Sequence, residues 1–140
     1  MQVFIIGSPL ETAEAMFGDT KRFNKQIIEC HQILDALNGA KAWSNHPVVL
    51  QYRGYEVWLK LYTEILSSYR DGDCLLAEIA DFVAVAPKFH TKEFLTQMKR
   101  RLYTKNPTYY SQWSNLGTSD ENWYFVDGVM RKYVNGKRIE

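Results

Sequence analysis

The chain has 140 residues, of which 46% are apolar and 24% charged, with a formal net charge of +1. That is one soluble domain with room for a sizeable core, and a charge balance that excludes tight, non-specific DNA binding driven by a global field. No apolar run approaches the roughly 18 residues of a membrane span, and Cys30 and Cys74 form no paired motif, so no membrane, disulfide framework, metal or cofactor is expected, and the expected setting is cytoplasmic.

Residues 2–6 (Gln-Val-Phe-Ile-Ile) read as a short buried extended lead-in that lacks the basic flank of a signal peptide. Ser8-Pro9-Leu10-Glu11 carries a helix start, with Ser8 as N-cap, Pro9 at the first position and Glu11 three residues after the cap. This first helix ends near Gly18. A longer one runs from about Thr20 to Leu37, with Gly39 past its end. Phe23, Ile27, Cys30, Leu34 and Leu37 make its inward stripe, and Arg22, Gln26 and Glu29 share a neighbouring one. Asn45-His46-Pro47 begins a third helix that continues through Tyr52, Val57, Leu61 and Ile65 to Arg70, with Gly54 inside it at a cost of about 1 kcal/mol relative to Ala. Further helices are expected over roughly 74–85 and about 91–103, then a helical turn opened by Asn106-Pro107. Residues 114–121 read as the most mobile loop. The Asp127-Gly128 and Asn135-Gly136 pairs divide residues 122–140 into a three-strand meander ending at Lys137–Glu140. The expected fold is therefore mostly α: a single-domain helical bundle over residues 1–113 with a small C-terminal antiparallel β-meander.

The polar residues suggest an anion pocket. Arg22 can grip a phosphate with two donors, Lys25 adds a point charge, and Gln26 and Asn45 offer neutral edges. His46 and Arg53 lie within two turns of a helix start, where backbone N–H groups favour anions. His90 also precedes a helix, and Lys105 and Tyr109 follow the basic run Lys99-Arg100-Arg101. Each feature has an ordinary reading beside this one. Lys25 and Glu29 are spaced as a solvated i,i+4 pair, and Asn caps helices generally.

The order of these motifs resembles a group of small bacterial and phage cytosolic proteins that is itself similar to the pyrimidine-dimer DNA glycosylases, the phage endonuclease V family. The motifs are Arg-x-x-Lys-Gln-x-x-Glu at 22–29, Asn-His-Pro at 45–47 with Arg-Gly-Tyr at 53–55, Phe-His at 89–90 and Lys-Asn-Pro-x-x-Tyr at 105–110. The resemblance implies a mostly helical fold and attack by an N-terminal amine on a sugar C1′, assisted by a glutamate, with arginines holding DNA. Carried over without gaps, the nucleophile position falls on Met1 and the glutamate position on Arg22, while Lys21 and Lys25 match family arginines in charge only. Glu29 lies two turns further along the helix.

Two functional readings follow. The first is a nucleotide- or nucleic-acid-phosphate-binding protein on an endonuclease V-like scaffold with a degenerate glycosylase site, of which a phage nucleotide-sequestering protein is one form. Its ligand set is Arg22, Lys25, Gln26, Glu29, Asn45, His46, Arg53, His90, Lys105 and Tyr109. The second is a DNA glycosylase or abasic-site lyase acting through the N-terminal amine, with Met1, Glu29 and His46 as the catalytic candidates. Either pocket is open to completion by a second copy of the chain.

Overall fold

A computed structural model of the chain describes residues 1–139. The helices are α1 (Pro9–Met16), α2 (Thr20–Leu37), α3 (Pro47–Tyr52), α4 (Glu56–Arg70), α5 (Cys74–Val83) and α6 (Lys92–Lys105). A 3₁₀ turn (Ser111–Leu116) leads into β1 (Asn122–Val126), β2 (Val129–Val134) and β3 (Lys137–Arg138), an antiparallel sheet in sequential order. The mostly α architecture with a C-terminal meander is as the sequence implies. The third strand ends at Arg138, so Ile139 does not continue it as expected, and Glu140 lies outside the described residues. Among the described residues, no helix is long and apolar enough to cross a membrane.

Local chemistry explains most boundaries. Ser8 and Glu11 form a reciprocal capping box, with Glu11 N–H donating to Ser8 Oγ and Ser8 N–H to Glu11 Oε1. Both hairpin turns have two consecutive residues at positive φ, Asp127 (53°) with Gly128 (76°) and Asn135 (51°) with Gly136 (79°). This is the type I′ geometry that matches the strand twist. It sets the register Asn122 opposite Tyr133 through Val126 opposite Val129.

Two expectations are corrected. The third helix is not continuous. Gly54 adopts φ 93°, outside helical space, and its N–H donates to Glu56 Oε1, so the chain turns between α3 and α4. Nor is the stretch before β1 loose. Arg100 donates to Leu116 O, and Gln97 donates to Ser119 Oγ and Glu121 O. Arg101 donates to Ser119 O, and Thr104 Oγ1 accepts from Ser119 N–H.

The core gathers one face of each helix around residues 3–5. Val3, Phe4 and Ile5 are buried, as are Phe23, Ile27, Cys30 and Ile33 of α2 and Trp58, Leu59, Tyr62, Ile65 and Leu66 of α4. A buried segment without a strand partner has backbone groups that must be satisfied some other way, and here side chains do it. Gln26 Oε1 accepts from Phe4 N–H (2.7 Å), while Gln26 Nε2 donates to Gln2 O (2.9 Å). Tyr62 Oη donates to Phe4 O, Tyr124 Oη to Met1 O (2.7 Å), and Thr12 Oγ1 accepts from Ile6 N–H. The Gln26→Ala variant strands two buried backbone groups and is expected to lose about 3 kcal/mol of stability, or roughly 10 °C in Tm. Chemical denaturation checks this, and a loss below about 1 kcal/mol would show that the clamp is dispensable.

Candidate functional site: a basic cleft around the Met1 amine

The clamp fixes where Met1 lies. An extended segment advances about 3.3 Å per residue and a helix about 1.5 Å. The three steps from Phe4 to Met1 therefore span the same ~10 Å as the seven from Arg22 to Glu29. At one end the Arg22 guanidinium lies over the Phe4 ring, 5.8 Å from its centroid. At the other, Met1 shares a cleft with Glu29.

The cleft, about 80 Å³ in volume, is lined by Met1, Gln2, Phe4, Arg22, Lys25, Glu29, Arg101, Lys105 and Asn122. Arg22, Lys25 and Glu29 come from one side of α2. Arg101 and Lys105, four residues apart on α6, face them, and Arg101 is held in place by Asn122 Oδ1 (3.0 Å) and Ser119 O (2.7 Å). Among the described residues, none of the four cations makes an ion pair within 4.0 Å. The same holds for Glu29 and the amine, so a gap separates the two groups.

The electrostatics follow from that crowding. Burial holds the Met1 amine below its ordinary 8.0; the Glu29 carboxylate opposes the shift, and Lys105, Lys25 and Arg101 reinforce it. Lys105 is pushed down to about 8, first by burial and then by Arg22, Arg101 and Lys25, with Glu29 again opposing. Arg101 is lowered chiefly by burial. His46 lies close enough to feel the amine: burial lowers its pKa and the charge on Met1 lowers it further. Its Nδ1 accepts from Val48 N–H (3.1 Å) as the N-cap of α3, which places the proton of the neutral ring on Nε2. Its ring meets Tyr124 edge-to-face, 5.7 Å between centroids.

Of the residues singled out from the sequence, the structure brings together Met1, Arg22, Lys25, Glu29 and Lys105, with His46 at the edge. It does not bring the others. Gln26 is buried and both ends of its amide are used by the lead-in backbone. Asn45 is exposed just before the cap, and Arg53 is exposed where α3 ends. His90 sits among Tyr52, Trp58, Phe89 and Phe94, bonded to Tyr52 Oη (3.0 Å), and burial pushes its pKa down to about 3. Tyr109 Oη accepts from Gly18 N–H (2.9 Å) and pins the α1–α2 junction. The ligand set read from the sequence lacked Arg101, noted there only as part of a basic run, and Asn122, Tyr124 and Gln2. The i,i+4 spacing of Arg101 and Lys105 was the available signal for the first. Gln2 is 5% exposed and its amide nitrogen and oxygen have no hydrogen-bond partner, which no pattern in the sequence foretells.

The arrangement defines a class: a helical scaffold with an amine and a carboxylate facing one another in a basic cleft. Residues 1–68 match the family model of the pyrimidine dimer DNA glycosylases, and in this part the chain is similar to that family. The matched segment includes Met1, Arg22, Lys25, Glu29 and His46; α5, α6 and the sheet lie beyond it. No curated protein and no solved structure matches the chain.

Because the folded pKa of Lys105 lies below its ordinary 10.5, the folded chain binds fewer protons than the unfolded one between about 8 and 10.5. The cost of burying the charge, with the repulsion added to it, is therefore fully present below about 8, and Lys105 makes stability rise as pH climbs through that window. NMR of ¹³C-dimethylated lysines should show one resonance titrating near 8 and moving back toward 10.5 in Arg22→Ala. A Lys105 signal at 10.5 in both proteins would contradict this geometry.

Proposed function

We propose that the chain binds the sugar–phosphate portion of a nucleic acid or nucleotide in the Met1 cleft. The observation that carries this is the convergence of Arg22, Lys25, Arg101 and Lys105 on the Met1 amine with Glu29 as the one opposing carboxylate lining the cleft. Cations held that close without ion-pair partners cost free energy in the empty protein, and a phosphate relieves it. At about 80 Å³ the cleft is far smaller than the roughly 300–1,000 Å³ of enclosed ligand sites, so it seats a single phosphate or sugar edge and leaves the base and any flanking strand over the surface. Gln2, with a free amide donor and acceptor at the wall, suits a sugar hydroxyl. A role in sequestering a free nucleotide, as in a phage nucleotide-sequestering protein, uses this same cleft and favours mononucleotides over DNA.

Fluorescence polarisation with labelled single-stranded, duplex and UV-irradiated duplex DNA, competed by mono- and dinucleotides, tests the reading. Arg22→Ala and Lys105→Ala are each expected to weaken binding about tenfold or more, and Lys105→Ala to flatten the dependence of log K on log salt by about one unit. Binding unchanged in both variants would sink the proposal.

A second reading goes further, and one observation favours it. Glu29 and a half-buried amine held below its ordinary pKa line the same cleft without pairing within 4.0 Å. A neutral amine can form the bond to C1′ while the departing base takes the glycosidic electron pair; loss of the amine proton then opens the ring to an imine, with Glu29 placed to handle the proton. Borohydride should trap such an imine on abasic or UV-irradiated DNA as an adduct at residue 1, located by mass spectrometry, and Glu29→Gln should lose at least 100-fold in trapping. DNA binding with no adduct confines the function to binding.

A further inference from the structure

Helix α5 has its hydrophobic side on the outside. It buries only Ala77 and Ala80, while Leu75 (68%), Leu76 (52%), Ile79 (56%), Phe82 (92%) and Val83 (56%) are exposed. At about 100° per residue these five form one stripe roughly 120° wide, the width of a core-facing helix side. Val85 (83%) and Val57 (75%) extend it across the start of α4. Seven large apolar side chains at roughly 100 Å² each make a face on the order of 700 Å². That exceeds the roughly 300–600 Å² patch usual on a monomer and approaches the ~800 Å² each partner contributes to a stable interface.

The face is also complementary to itself. Beside the protruding Phe82 ring lies a groove lined by Gly54, Tyr55, Val57, Trp58, Leu61, Val83 and Val85. Gly54 leaves it open, because a Cβ built there would meet nothing within 4 Å. Little charge interrupts the α5 stripe: its two charged residues are Glu78, at the edge, and Asp81, whose carboxylate is already used by Leu10 N–H (2.9 Å), while on α4 Glu56 and Lys60 flank the groove with opposite signs. A surface that carries both a knob and the hole beside it satisfies the requirement of a two-fold interface, in which the same patch serves both partners.

We infer that this face joins two copies of the chain into a homodimer, with Phe82 of each seated in the Gly54–Val57–Leu61–Val85 groove of the other. The twofold axis passes near Val83, which lies between knob and groove. None of these residues lines the Met1 cleft, so the dimer leaves both clefts open and is independent of what they bind.

Sedimentation velocity and light scattering on the full chain over a hundredfold concentration range test this. The expected result is a dimer that Phe82→Glu and, separately, Val57→Glu convert to monomer without changing the far-ultraviolet circular dichroism or the cleft's ligand binding. In a Cys74→Ser/Val83→Cys variant, mild oxidation should give a disulfide-linked dimer. Cys74 is exposed in the native chain, so its removal excludes pairing there. A wild-type chain that stays monomeric throughout overturns the inference, as does a dimer untouched by both glutamate substitutions. Monomer that floats with phospholipid vesicles through the same face overturns it in favour of a lipid surface.

Discussion

A single carboxamide organises the molecule. Gln26 takes Phe4 N–H and gives to Gln2 O, and in doing so lays the first residues along α2 in one register. Nothing else of regular structure pairs with that segment. Tyr62, Tyr124 and Thr12 add hydrogen bonds to it from three other elements, so α1, α2, α4 and β1 all converge on six residues. An irregular strand buried in a helical core survives only when its polar groups are answered this way. The cleft is the by-product: once Phe4 is fixed at Arg22, Met1 must lie at Glu29.

The C-terminal part supplies the other wall. Gln97 and Arg101 bind the backbone before β1, and Gln51 Oε1 accepts from Phe125 N–H (2.8 Å), tying β1 to α3. Alternation along β1 then turns Asn122 and Tyr124 toward the amine, while Trp123 and Phe125 line an opposite groove with Phe89 and Met130. A segment beyond the matched residues 1–68 thus contributes two of the four cations and the hydroxyl that anchors Met1. The cleft is built jointly by the matched residues 1–68 and by the segment that follows them.

Local chemistry was legible in the sequence wherever adjacent residues decide it. The Ser8–Glu11 capping box and the Asp-Gly and Asn-Gly turns are such cases, as is the long helix with Phe23, Ile27 and Cys30 inward. The break at Gly54 was not: periodicity carried through it, and a left-handed residue in the middle of an apolar pattern leaves no mark beyond the glycine itself. Among the site residues, Arg22, Lys25, Glu29 and Lys105 could be found as charges on shared faces. Gln26 could not be told apart from them, because its role depends on a strand 22 residues earlier. His90 looked equally exposed in sequence, yet aromatic packing from α3, α4 and α6 buries it.

The account stands on the Met1 amine and the Glu29 carboxylate sharing one cleft. Its most direct test is the pKa of that amine, read from the pH dependence of labelling at residue 1 by an amine-reactive reagent, in the wild type and in Glu29→Gln. The account predicts a wild-type value below 8.0, because burial outweighs the carboxylate, and a lower one still in Glu29→Gln, where only burial and the lysine and arginine charges remain. An amine that titrates at 8.0 in both proteins would contradict it.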